Sequence, residues 1–146
     1  MTVTNWWLFY EPGHWYEPNC GEGYLEAGIV YWTCNKDAKA GDFGIVYSRD
    51  PICSLVALVR VDSDPEKRSG PPVYYKTGQR WADIQFLAQL EPIVPLFKLN
   101  RNSELKNAWP LLRANMQTSS GPQALHVSVV DILREMIPQL EEIKSL

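Results

Sequence analysis

Gly41-Asp42-Phe43-Gly44-Ile45-Val46-Tyr47-Ser48-Arg49-Asp50-Pro51-Ile52-Cys53-Ser54-Leu55-Val56-Ala57-Leu58-Val59-Arg60-Val61 is the stretch on which the fold turns. Gly41 permits a turn, and two apolar runs rich in β-branched residues follow, Phe43 to Ser48 and Ile52 to Val61. Arg49-Asp50-Pro51 between them is a connector of hairpin length, so the runs read as neighbouring strands. Ser54, Ala57 and, further on, Ala88 are small enough for close packing in a curved sheet.

Upstream, Asn5 to Tyr10 reads as a first strand of large aromatic side chains, ended by Glu11-Pro12-Gly13, with Pro18-Asn19 in an irregular loop. Gly28 to Thr33 is a second short strand, and Lys36 to Ala40 a single helical turn ending at Gly41-Asp42. Downstream, Asp62 to Pro72 is a loop, and Arg80 to Leu90 a final long strand that stops at Pro92. The pattern then turns helical: Leu96, Leu99, Leu105, Trp109 and Leu112 recur at helical spacing, broken by Asn100-Arg101-Asn102-Ser103 and Pro110. Ser128 with Asp131 forms an approximate capping box for a C-terminal helix whose first segment ends at Pro138. The expectation is one α+β domain over residues 1–146, a small, strongly curved β-barrel of five to six strands with short flanking helices and a C-terminal helix.

The composition agrees with a single domain. A chain of 146 residues buries roughly 70% of its unfolded surface, and 45% apolar with 21% charged residues argues against disorder or a coiled coil. The apolar runs fall far short of the ~20 residues a bilayer needs, and the start lacks a basic, apolar leader, so a cytoplasmic protein with no membrane partner is expected. Cys20, Cys34 and Cys53 lack paired metal or redox spacing and read as reduced thiols. The net charge of −3 opposes indiscriminate phosphate binding. The charge is uneven, however: residues 1–35 hold four Glu and no base, whereas residues 67–106 hold seven Lys or Arg against three acids. Lys67, Arg68, Lys76 and Arg80 are interleaved there with Tyr74, Tyr75 and Trp81, a mixture suited to phosphates beside stacked bases.

Catalysis finds little to work with. His14 and His126 have no evident partner, no ligand spacing calls for a metal or cofactor, and Gly21-Glu22-Gly23 lacks the rest of a phosphate loop. More informative is Tyr31-Trp32-Thr33-Cys34-Asn35, which ends a strand where an indole face, a hydroxyl and an amide can meet a ligand; an indole in the core is the competing reading.

Taken together, several segments resemble the EVE domains of the PUA-like superfamily, which also holds the YTH readers of methylated adenine. Trp7-Leu8-Phe9-Tyr10-Glu11-Pro12 is similar to the opening strand and its Glu-Pro, and Trp32-Thr33 to the Trp-Ser/Thr step that supplies a cage wall in YTH domains. Asn35 falls where EVE sequences often place an asparagine. Gly41-Asp42, the Phe43 to Val61 pair, Trp81 to Phe86, Glu91-Pro92-Ile93, Trp109 to Arg113, Gln117 and Val127 to Leu133 follow in the family's order.

The resemblance implies a PUA-like binding module, not an enzyme, that encloses a methylated or hydroxymethylated base of DNA or RNA, flipped out of a duplex or taken from a single strand. Trp32 and one of Tyr74 or Tyr75 would be the walls, with Thr33 and Asn35 as polar contacts. Trp81, Tyr10, Glu11 and Ser48 would lie nearby, and Lys36, Lys39, Lys67, Arg68, Lys76 and Arg80 would meet the backbone. Within the family such modules are fused to nucleases or motor proteins of modification-dependent restriction and also occur alone, so a nuclease or motor subunit is one partner the resemblance implies. Two alternatives remain: an amidohydrolase on modified cytidine like some ASCH domains, using Thr33, Lys36 and Glu11, and a protein-docking patch made of Trp6, Trp15 and Tyr16.

Overall fold

The computed structural model describes residues 5–11, 29–50, 52–67, 80–116 and 122–142. Its strands are β1 (Trp6–Glu11), β2 (Ile29–Cys34), β3 (Phe43–Ser48), β4 (Ser54–Val61), β5 (Glu66–Lys67), β6 (Arg80–Pro95) and β7 (Gln123–Ala124). The helices are α1 (Leu96–Asn100), α2 (Ser103–Ala108), α3 (Pro110–Arg113), α4 (Val127–Met136) and α5 (Gln139–Glu142). The strands make one mixed sheet in the order β2-β6-β4-β3-β1-β7, with β5 also on β6. β1 runs parallel to β3, and the other pairings are antiparallel. The α+β expectation holds, but the barrel is open: among the described residues β2 and β7 remain separate edges.

Side-chain alternation along the strands divides the core in two. Trp6, Leu8 and Tyr10 of β1, with Ile45 and Tyr47 of β3, face the helices and meet Leu99, Leu105, Leu112, Val129 and Leu133. Trp7, Phe9, Val46, Val56, Val59, Ile84 and Phe86 pack on the other face. β1 is therefore buried on both sides, which is why Trp6 to Tyr10 is apolar throughout instead of alternating. Gly44 passes directly beneath the Phe9 ring, and a Cβ there would overlap that ring and lie 2.9 Å from Val59 Cγ2.

Several local expectations change. β6 does not stop at Pro92: between the pairs Leu55↔Val94 and Ala57↔Gln89 the register shifts, and Leu90 to Ile93 bulge opposite Val56. Proline is tolerated in such a bulge because it owes no ladder hydrogen bond there. Lys36 to Ala40 is a hydrogen-bonded turn, with Ala38 N donating to Asn35 O at 3.1 Å, and not a turn of helix. Part of the Asp62 to Pro72 loop adds to the sheet as β5. The cap of α4 is His126, whose ring accepts from Ser128 N, so Ser128 lies inside the helix. Trp6 is 1% exposed and cannot serve an exposed docking patch; Trp15 and Tyr16 lie outside the described residues.

Candidate functional site

β2 pairs with Arg80 to Gln85 of β6, of which Arg80 to Asp83 run beyond the end of β4. The register sets Trp32 opposite Ala82, Thr33 opposite Trp81 and Cys34 opposite Arg80. β5 flanks β6 there as well, with Lys67 opposite Arg80. This end of the sheet thus brings together Trp32, Thr33, Asn35, Lys67, Arg80 and Trp81, and the exposed Lys36 and Lys39 follow in the next turn.

Trp32 is half-buried and packs against the second core, its ring centroid 6.1 Å from that of Phe86. Trp81 is 7% exposed. It alternates with Ala82, so it belongs to the opposite face of β6 from the one Trp32 packs on. Asn35 is tied into the fold: its Nδ2 donates to the Pro122 carbonyl at 3.1 Å, and its Oδ1 accepts from Asp37 N at 2.9 Å. The turn carries carboxylates as well as lysines. Asp42 Oδ2 accepts from Trp7 Nε1 and from Lys39 N, both at 2.9 Å, and Gly41, at φ +98, makes this approach possible. Asp64 accepts from Ala40 N at 2.9 Å.

Tyr10, Glu11 and Ser48 lie at the other end of the strands, where β1, β3 and β6 finish; Tyr10 pairs with Tyr47 and Glu11 with Ser48. The fold therefore does not gather them with Trp32, and it sets Glu11 at the end of the sheet opposite Thr33 and Lys36. Ser48 is fully buried. The Tyr10 ring meets Tyr47 edge to face at 6.1 Å, and the Arg49 guanidinium lies 4.5 Å above it. Burial pushes the Tyr10 hydroxyl up to about 12, with Arg49 opposing the shift. Tyr74, Tyr75, Arg68 and Lys76 lie outside the described residues.

At this second end a cavity of about 410 Å³ opens among Tyr47, Arg49, Asp50, Cys53, Leu96, Asn115 and Met116. Sequence reading missed it. Its walls come from three separated segments, and its only sequence signal is the charged pair Arg49-Asp50 in the connector. Among the described residues no cluster of three or more His, Cys, Asp or Glu is placed to hold a metal, and no helix is long and apolar enough to cross a membrane.

No family description and no curated protein matches the chain. Solved structures do. A protein from Pseudomonas syringae is 14% identical with a TM-score of 0.69, covering 90% of this chain and 98% of its own. Human THYN1 protein, in complex with DNA containing 5-methylcytosine, is 14% identical with a TM-score of 0.60, covering 90% of this chain and 96% of its own. An ASCH protein of Zymomonas mobilis is 9% identical with a TM-score of 0.59, covering 94% of this chain and 99% of its own. At these identities the likeness is one of fold: the chain shares the α+β architecture of these proteins.

Proposed function

We propose that this chain is a nucleic-acid-binding module that recognises a methylated or hydroxymethylated base, foremost in DNA. The observation that carries this reading is the meeting of the half-buried Trp32 with Arg80, Lys67, Lys36 and Lys39 at one end of the sheet. It is supported by a shared fold with a protein solved on 5-methylcytosine DNA. Trp32 is the first wall for the base. Tyr74 or Tyr75, which precede Arg80 by six and five residues in the sequence, is the second wall.

A methyl group contributes only about 0.8 kcal/mol by burial, so discrimination requires close enclosure between flat faces. Flipping the base out costs a few kcal/mol, and stacking at about 1–3 kcal/mol per base offsets that. The lysines and Arg80 meet phosphates, at a strength limited by Asp37, Asp42 and Asp64 beside them. A nuclease or motor subunit of a modification-dependent restriction system is the partner such a reader serves. The amidohydrolase reading is weaker, because it needs Glu11 beside Thr33 and Lys36.

The test is polarisation binding of duplexes with and without 5-methylcytosine at two salt concentrations, with single-stranded DNA and RNA alongside. The wild type should prefer the methylated strand. Trp32→Ala should lose that preference while keeping a cooperative unfolding transition, and Trp32→Phe should retain part of it. Equal affinity for both strands in the wild type refutes the reading.

A further inference from the structure

The cavity at the far end of the sheet has properties that packing does not require. Its charged groups are uncommitted: among the described residues neither Arg49 nor Asp50 has an ion-pair partner, and Arg49 is held instead over the Tyr10 ring. Its backbone is also unusual. Cys53 (φ 46), Asn115 (φ 56) and Met116 (φ 62) are the described non-glycine residues in the left-handed region, and all three line this one cavity. Cys and Met resist that conformation, whereas Asn tolerates it, and strained residues concentrate at ligand sites.

Surrounding hydrogen bonds fix this backbone. Met116 N donates to Leu111 O at 2.8 Å, Asn115 N to Leu112 O at 2.9 Å and Leu96 N to Cys53 O at 2.9 Å, the last joining two walls of the cavity. The walls are thus set before any ligand arrives. Their chemistry is mixed: one guanidinium, one carboxylate and one amide around a buried floor of Tyr47 and Met116, with Leu96 and the Cys53 sulfur at the side. A flat ring suits an aromatic and two sulfur atoms, a phosphate suits Arg49, and hydroxyl or amine protons suit Asp50 and the Asn115 amide.

We propose that this cavity binds a nucleoside monophosphate, with Arg49 on the phosphate, Asp50 and Asn115 on the sugar hydroxyls and base edge, and the ring over Tyr47 and Met116. A volume of about 410 Å³ lies within the range of small-ligand pockets. The site is separate from the Trp32 end and stands whether or not a modified base binds there.

Cys53 makes the site testable, because a ligand in the cavity covers its half-buried thiol. The common nucleoside 5′-monophosphates are titrated calorimetrically against the intact chain. In parallel, alkylation of Cys53 by iodoacetamide is followed by peptide mass spectrometry, with the parent nucleosides and inorganic phosphate as comparisons. At least one monophosphate should bind and slow Cys53 alkylation, and its nucleoside should bind about tenfold or more weakly. Arg49→Gln, at an exposed position, should lose a similar factor. Asn115→Gly keeps the left-handed backbone accessible while removing the amide, and should weaken binding without altering the unfolding midpoint by much. Absence of binding and shielding by every monophosphate at millimolar concentration overturns the proposal. So does equal shielding in Arg49→Gln, or shielding by inorganic phosphate as strong as by the nucleotide.

Discussion

Asn35 reaches across the seam of the open sheet: its Nδ2 donates to the carbonyl of Pro122 at 3.1 Å, joining the end of the β2 edge to the segment that leads into β7. Pro122 is buried, so a carbonyl deprived of this donor has no easy recourse to solvent. Asn35→Ala should cost about 1–3 kcal/mol in urea denaturation. Asn35→Asp should cost at least as much, since a carboxylate replaces the donor with a second acceptor. An unchanged midpoint in both variants would mean that the seam is held by other interactions.

Gly44 offers a sharper packing test. The Phe9 ring occupies the space a Cβ would need, and Val59 closes it from the next strand. Gly44→Ala should destabilise by about 1–3 kcal/mol through overpacking. Phe9→Leu in the same chain should return part of that loss, and thermal melts of the two variants and the pair read the coupling directly. Additive losses would contradict the close approach.

Alkaline pH should unfold the protein earlier than surface charge alone would. Burial pushes the Tyr10 hydroxyl and the Cys34 thiol each up to about 12 from ordinary values of 10.0 and 9.0, and raises Tyr47 as well. Each group keeps its proton more tightly when folded. The stability it contributes is therefore complete below its unfolded pKa and disappears as pH climbs through the folded one. Denaturation midpoints should decline from about pH 9 upward, and tyrosinate absorbance from Tyr10 and Tyr47 should emerge together with unfolding. Tyr10→Phe should flatten the upper part of that decline; a profile identical to wild type would remove Tyr10 as a cause.

Phosphate binding and base recognition separate by salt. Replacing Lys36, Lys39 or Arg80 with Gln should lower the slope of log affinity against log salt by about 0.9 for each duplex DNA phosphate that is no longer neutralised. The ratio between methylated and unmodified strands should hardly move, unlike the outcome for Trp32→Ala. A slope unaffected by all three substitutions would take the backbone path away from this end of the sheet.

Much of the fold can be read from the chain, because its strongest signals are local. Phe43 to Ser48 has the bounds expected from its apolar run, and the short helices break at Asn100 to Ser103 and before Pro110 as composition indicates. Errors arise where tertiary context overrides a local rule. Pro92 would end an ordinary strand, but in β6 it sits in a bulge whose existence depends on the register against β4. Ser128 looks like a cap, yet the His126 ring takes that role from two residues earlier.

The candidate site shows the same division. Trp32, Asn35, Lys67 and Arg80 belong to strands or turns that neighbouring pairings bring together. Strand mouths expected to converge there put Tyr10, Glu11 and Ser48 beside them, but strand direction sends all three to the opposite end. That end is built by the parallel pairing of β1 with β3, which no local pattern announces, and its cavity depends on left-handed backbone at Cys53, Asn115 and Met116, where no glycine marks the position.

The place of β1 between β3 and β7 also shapes how the chain is born. As the polypeptide leaves the ribosome, Trp6 to Tyr10 emerges before either partner: its parallel neighbour must wait for Phe43 to Ser48, and its other edge for Gln123-Ala124. Among the described strands the most aromatic is thus the last to be enclosed on both sides. Until Gln123-Ala124 has been made it is the segment a holding chaperone would grasp.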